Sequence, residues 1–525
     1  MKTAHLQMLT PVVLAAALSV SGAHAQEKTP KFNQKIPEKI MTPDKVQTRI
    51  GTLNFVDGVP TPQTTQALYD NLDHLRGVEV FLNFIPASSM EGLRLGAIKT
   101  IGGSTIKSHQ ALLMDQLMDS NPLYLTGNTD TVYCMVFLDL EADGPTVIEI
   151  PPGVGPGTVN DAFFRFVIDM GAPGPDAGKG GKYLILPPDY KGAIKPTAGA
   201  EQADVNGVKY FVAQSTSYVN WVPLRGFLED GKPDAATKVF KDGIKVYSLS
   251  KKDNPPKMEF ISGSKKPINT VHANNIEFYE ELDSVIQREP VGFLDPELRG
   301  LAASIGIAKG KKFAPDARMK KILTDAVAVG NATARAISFR DRDSRVLVYP
   351  KSAWQSLSVA TDYQWIDKDA QGTRNLDART KFFYGYTVNT PKMMEHIVGG
   401  GSQYAIAFAD STGQPFDGSK NYKINVPAKV PANRFWSVVL YDPQTRSQLQ
   451  TRQPFPGLNN TRNKFVTNAD GSVDIYFGAK APAGKEANWI ATTPGKGLFA
   501  IFRLYGPLEP WYDRSWRLGE PTLVK

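Results

Sequence analysis

Apolar and polar positions change period several times along the 525-residue chain. Between residues 62 and 84, Ala67, Leu68, Leu72, Leu75 and Val78 recur near every 3.6 residues, which predicts an amphipathic helix. Pro86 marks its expected end. From about 120 to 225 the runs become short: TVYCMVFLDL, TVIEI, AFFRFVI, KYLILP and KYFVAQST, cut by stretches such as GAPGPDAGKGG. Short strands with Gly/Pro turns predict a sandwich or barrel. Helical spacing returns from 271 to 340, where Phe278, Tyr279, Leu282, Val285 and Ile286 share one face. Asp295 and Pro296 then supply an N-cap and a first helical residue, and APDARMKKILTDAV repeats that start. From about 402 onward short strands resume: QYAIAFAD, NYKINVP, RFWSVVLYD, VDIYFG and LFAIFRLYGP. The pattern predicts a mainly β chain with a helical insert. A first β-sandwich spans 85–230, a helical segment 271–345, and a second β-sandwich 400–520.

Composition adds a location. Lys2, the apolar LTPVVLAAALSVSG and Ala23-His24-Ala25 read as an export signal over 1–25, cleaved after Ala25. A periplasmic or secreted protein follows, with a polar, flexible arm over 26–60. No other stretch approaches about 18 apolar residues, so no integral membrane segment is expected after cleavage. Cys134 is the sole cysteine, which excludes an internal disulfide. The net charge of +8 is spread thinly, and its basic clusters are short and lack interleaved aromatics, which argues against nucleic acid as a partner.

Standard catalytic motifs are missing. There is no G-x-S-x-G and no H-E-x-x-H. His74, His109, His272 and His396 are widely scattered, so no metal centre is expected. What remains is a polar constellation at the strand ends of the first β region. NTDTVY brings Asn128, Asp130 and Tyr133; the run from Asp169 to Lys182 adds Asp176 and Lys179. Asp130 and Asp169 are candidates for a carboxylate pair in acid–base work, with Tyr133 a proton donor. Lys179 or Lys182 would hold an anion, and Asn128 and Asp176 would line the site. Against this stands a plain alternative: Asp and Asn cap turns and strand ends routinely. In the second β region Trp489 and Arg503, with Trp511 and Trp516 nearby, suit contact with a sugar or aromatic ring, or else form a sandwich core.

NTDTVYCMVFLDL followed by GPTVIEIPP resembles the hallmark of domain of unknown function 1254. FWSVVLYD, DGSVDIYFG, NWIATTPGKGLFAIFRLYGP and a closing Trp resemble that of domain of unknown function 1214. The resemblance covers roughly residues 85–520. It implies bacterial exported proteins with tandem jelly-roll-like sandwiches joined by a largely helical segment. It supplies no catalytic residue, and the cofactor is unknown. Function at this stage is an exported enzyme, a hydrolase or lyase acting on a sugar-like or carboxylated small molecule. The alternative is a non-catalytic envelope protein binding a saccharide or other ligand. The middle helices also offer a face for a homo-oligomer.

Overall fold

The computed structural model describes residues 36–357, 359, 362–367 and 371–524; the expected export signal over 1–25 lies outside them. The described residues form two compact units that divide between Tyr69 and Asp70. In the first, β1 (Lys45–Thr48), β2 (Gly51–Val56) and β3 (Val59–Pro60) make an antiparallel meander, within what the polar composition suggested was an arm. Asp57 and Gly58 both have positive φ and form the two-residue turn between β2 and β3, the Asp-Gly chemistry such hairpins favour.

Helix α1 (Pro62–Ile101) runs through Pro86, where the sequence predicted a stop. An interior proline costs ~3 kcal/mol or more. Phe81, Phe84 and Ile85 before it and Met90 and Leu93 after it are all buried. Burying each such side chain contributes about 1.5–3 kcal/mol, so tertiary packing outweighs the local rule.

The first sandwich comprises β4 (Gln110–Met114), β5 (Thr131–Asp139), β6 (Thr146–Ile150), β7 (Pro156–Asp161), β8 (Phe166–Gly171), β9 (Gly181–Leu186), β10 (Ala203–Val205), β11 (Val208–Gln214), β12 (Val219–Phe227), β13 (Lys245–Ser248) and β14 (Glu259–Ser262), with short helices α2 (Leu140–Asp143) and α3 (Asp234–Gly243). One sheet has the order β14-β4-β5-β12-β7-β8 and the other β10-β11-β9-β6-β13. Val132, Cys134 and Val136 from the first meet Ile148, Tyr183 and Ile185 from the second in a dry core. Cys134 is buried there, and burial pushes its thiol up to about 12.

Helices α4 (Glu277–Arg288), α5 (Pro296–Ser304), α6 (Ala317–Phe339) and α7 (Leu376–Gly385) lie between the sandwiches in sequence. Asp295 and Asp316 cap α5 and α6 through their side chains, as their sequence context predicted. Around α7 come β15 (Trp354–Gln355), a ribbon of β16 (Ile366–Asp367) and β17 (Thr373–Arg374), and the turn α8 (Pro391–Met394).

The second sandwich is built from β18 (Ser402–Ala407), β19 (Phe416–Asp417), β20 (Tyr422–Val426), β21 (Ala432–Tyr441), β22 (Gly457–Asn459), β23 (Val473–Gly478), β24 (Trp489–Ala491), β25 (Gly497–Pro507) and β26 (Thr522–Leu523), with α9 (Glu509–Tyr512) near its end. Its sheets run β15-β18-β25-β21-β22 and β24-β23-β20-β26. The chain is thus mainly β with a helical insert.

Side chains alternate faces along a strand, and this alternation joins the sandwiches. Ala405, Val438 and Phe502 point into the second sandwich. Their neighbours Ile406, Val439 and Ile501 join Met135, Phe137 and Trp221 of the first sandwich, and α1, α4, α6 and α7, in one shared core. The outer face of each central sheet is therefore covered by the rest of the unit.

Candidate functional site

At one end of this junction lies a cavity of about 350 Å³. The strand register explains which residues reach it. On β5, β12, β7 and β8, Tyr133 pairs with Arg225, Leu224 with Gly157, and Thr158 with Asp169. Arg225, Thr158 and Asp169 therefore share the face turned toward the second sandwich. Arg225 and Asp169 stand two strands and two residues apart, which puts their Cα atoms about 12 Å from each other. Thr390 and Lys392, from the segment ahead of β18, form a second wall, and Tyr404, Arg434 and Tyr505 of the second sandwich a third.

Asp169 is buried. Thr390 Oγ1 lies 2.6 Å and 2.8 Å from its two carboxylate oxygens. Burial pushes its pKa up to about 6; the hydroxyls of Thr390 and Thr158 and the charge of Lys392 oppose the rise without cancelling it. A carboxyl poised there exchanges a proton near neutral pH, which suits general acid–base work. The Arg225 guanidinium lies 5.6 Å from the Tyr133 ring centroid and within electrostatic reach of Tyr124, Tyr404 and Tyr505.

Asp130 does not join Asp169. It lines a neighbouring cavity of about 380 Å³ with Asn459 and Thr461; Phe227 and Arg434 line both spaces. Its Oδ1 accepts from Asn459 Nδ2 at 2.9 Å. Its Oδ2, Arg503 Nη1 and the Tyr505 hydroxyl are buried without a hydrogen-bond partner among the described residues. Burial and the charge of Asp130 hold the Tyr505 phenol well above its ordinary range.

The polar run ahead of β5 is mainly a seam between the sandwiches. Thr126 O accepts from Arg503 Nη2 (2.9 Å), Gly127 O from the Tyr441 hydroxyl (2.7 Å), and Thr129 O from Arg462 Nη1 (2.7 Å). Asn128 Oδ1 accepts from Asp130 N, Thr131 N and Thr131 Oγ1, which fixes the turn. Among these residues Thr131 lines the junction cavity. Tyr133 is buried, and its hydroxyl accepts from Asn128 N at 3.3 Å.

Other expected site residues lie elsewhere. Asp176 organises the Gly-rich bend, accepting from Gly171 N, Gly180 N and the Tyr183 hydroxyl. Gly171 has a φ of +73°, and a Cβ there would come within 2.1 Å of Gly155 O, so the bend needs glycine at that point. Lys179 is exposed on the bend. Lys182 pairs with Glu149 at 3.0 Å across β9 and β6, in the other sheet. Trp489 is buried, with its Nε1 donating to Gly478 O. Trp511 and Trp516 are buried as well, so these two tryptophans form no exposed aromatic row.

Sequence reasoning passed over Arg225, Thr390, Tyr404 and Tyr505. Arg225 carried a legible signal, a lone charge in the otherwise buried strand run WVPLRGF. Thr390 and Tyr404 carried none, because only the fold brings them to β8 and β12. Among the described residues, no three His, Cys, Asp or Glu side chains gather as a metal site would need. No helix among them is long and apolar enough to cross a membrane.

Fold and cavity together define a class: a two-sandwich protein in which both sandwiches contribute walls to one cavity. Residues 109–248 match the model of the protein of unknown function family DUF1254, and residues 401–509 that of DUF1214, so the chain carries the DUF1254–DUF1214 two-domain arrangement. The crystal structure of the VPA0106 protein from Vibrio parahaemolyticus is similar at 17% identity and a TM-score of 0.50, covering 86% of this chain and 100% of that one. It bears on the fold alone. An uncharacterised protein from Burkholderia cenocepacia is similar at 12% identity and a TM-score of 0.36, covering 88% of this chain and 97% of that one. No curated protein matches the chain.

Proposed function

We propose that the chain is an enzyme, a hydrolase or lyase, that carries out proton transfer on a small molecule held in the junction cavity. The observation that supports this best is Asp169: a buried carboxyl, raised to about 6, on the wall of the junction cavity. In this reading Asp169 gives or takes the proton. Thr390 orients its carboxyl, and Tyr505 and Tyr404 close the space from the second sandwich. Asp130 and Arg503 act one layer behind, holding the seam through Asn459 and Thr126, and Tyr133 supports Arg225 from below. Both family segments contribute walls, which accounts for their pairing in one chain. A site in a deep, largely apolar cleft with a few convergent polar groups is also the common form of small-molecule sites.

Pooled small metabolites incubated with the purified chain, and followed by mass spectrometry, test this. The expected result is one or more compounds consumed by the wild type and spared by Asp169→Asn, although Asp169→Asn still gains thermal stability from the same compounds. Ligand-induced stabilisation with no turnover in any pool would favour the non-catalytic binding protein instead.

A further inference from the structure

We propose that the ligand of the junction cavity is a small monocarboxylate with an apolar body, its carboxylate held by Arg225. This rests on the cavity being the substrate site and settles its ligand class between sugar-like and carboxylated molecules.

The guanidinium of Arg225 lines the cavity, yet among the described residues it donates no hydrogen bond and forms no ion pair; its near neighbours are tyrosines. Several other arginines of the unit have a polar partner for part of the guanidinium, although Arg165 Nη2, Arg446 Nη2 and Arg503 Nη1 are left without one among the described residues. Arg165 pairs with Asp161, and Arg94 and Arg288 pair with Glu91. Arg446 and Arg462 donate to backbone carbonyls. A guanidinium offers a planar fork of donors that matches a carboxylate; of the two arginines lining the cavity, Arg434 is exposed and lies over the Phe227 ring, whereas Arg225 is the more sheltered.

The remaining walls argue for an apolar body. The exposed wall surface is mostly apolar, with Pro156, Pro173, Phe227, Met393 and Ile397 among the residues that supply it, beside hydroxyls such as those of Thr131, Ser402 and Tyr404. A saccharide would leave many hydroxyls without partners against such surfaces, at a desolvation cost. A phosphate monoester fits poorly too. It brings roughly −1.5 to −2 charges, whereas Lys392 is already paired with Glu395 at 3.2 Å and Arg434 lies over the Phe227 ring at 4.3 Å. Asp169 on the same sheet face would repel a second charge. A carboxylate on Arg225 leaves the space of several carbons or one ring before Asp169 is reached, so the acid–base group meets the body of the molecule and not its head.

The test uses calorimetry and thermal shift on the purified chain, with butanoate, hexanoate, octanoate, phenylacetate and 3-phenylpropanoate, their primary amides, and phenyl phosphate. At least one carboxylate is expected to bind roughly tenfold or more tightly than its amide, the worth of a charge-assisted hydrogen bond. Arg225→Gln should reduce it to the amide's affinity, and Arg225→Lys should fall between. The acid–amide comparison on wild type needs no variant and stands even if Arg225→Gln fails to fold. Acid and amide binding alike, phenyl phosphate binding more tightly than every carboxylate, or no carboxylate binding would each overturn the proposal. Carboxylate binding that Asp169→Asn retains, with no turnover of any compound, would sink the catalytic reading and leave this one standing.

Discussion

Glu91 on α1 and Asp169 on β8 are both buried carboxylates, and they titrate on opposite sides of the ordinary range. Burial works to raise both. At Glu91 two guanidiniums outweigh it: Arg94 forks onto both oxygens at 2.8 Å and 2.7 Å, Arg288 reaches Oε2 at 3.0 Å, and the group is held at about 2. At Asp169 the direct partners are threonine hydroxyls, so desolvation wins and the group rises to about 6. The first arrangement stabilises a fixed charge among helices. The second keeps a proton exchangeable beside an open space. Perturbed carboxylates therefore mark function only when their environment leaves the charge uncompensated.

The sharpest way to break this contrast is Glu91→Gln. It leaves the half-buried Arg94 and Arg288 without their shared partner, though Arg288 keeps Glu289, and losing the buried member of such a network costs about 2–4 kcal/mol. Urea unfolding at pH 7 measures it. Because the folded-state pKa is depressed, the stabilisation is complete above the unfolded value of 4.5 and is lost as pH falls toward about 2. A change under 1 kcal/mol would mean the network is not what holds this end of α1.

Asp169→Asn should act in the other direction. The raised pKa means the folded state binds the proton more tightly than the unfolded one. This group's contribution to stability therefore falls as pH rises from 3.8 to about 6, and the cost stays constant above that. At pH 8 the amide escapes that cost, so the variant should be more stable than wild type by about 1–3 kcal/mol while losing turnover. Glu281 and Glu289, raised by burial to about 8 and about 7, add slopes of their own. The difference between wild-type and variant unfolding curves from pH 4 to 8 isolates Asp169. Equal stability at pH 8 would remove the case for a desolvated, poised acid.

How much of this was legible beforehand depends on the range of the interaction concerned. Strand runs, Gly/Pro turns and the caps at Asp295 and Asp316 are local, and they stand in the fold as the residues suggested. Pro86 is local as well, and there the reading failed, because burial on both sides of the proline decides the matter. Asp169 was visible as a polar strand end; its separation from Asp130 was not. Both lie next to apolar strand runs, Asp130 just ahead of one and Asp169 near the end of another, and nothing in the sequence shows that Asn459, 329 residues away, claims Asp130 while Thr390 claims Asp169. In the Gly-rich bend Asp176 accepts three hydrogen bonds, which leaves it little capacity for a ligand, and no residue in the sequence foretells those partners.

Thr390→Val probes the Asp169 side more gently. It removes the hydroxyl that contacts both carboxylate oxygens. Losing hydrogen bonds to the charged form should raise the Asp169 pKa by about one further unit. The acid limb of the turnover profile, or the stability difference described above, should move upward in pH by that amount. An unmoved profile would mean Thr390 serves packing alone.

The smallest effect is expected at Lys182, and it carries the most information about where an anion is read. Its ammonium pairs with Glu149 at 3.0 Å, but its side chain is 41% exposed, and Glu149 keeps Lys245 at 3.7 Å and the Tyr247 hydroxyl. A partly exposed pair of this kind contributes at most ~1 kcal/mol. Lys182→Met should therefore shift the unfolding midpoint little and leave carboxylate affinity unchanged, because its strand belongs to the sheet that does not line the junction cavity. A loss of carboxylate binding in Lys182→Met, with Arg225→Gln unaffected, would transfer the anion site to the far sheet. Asp169 would then be a buried acid without a ligand to act on.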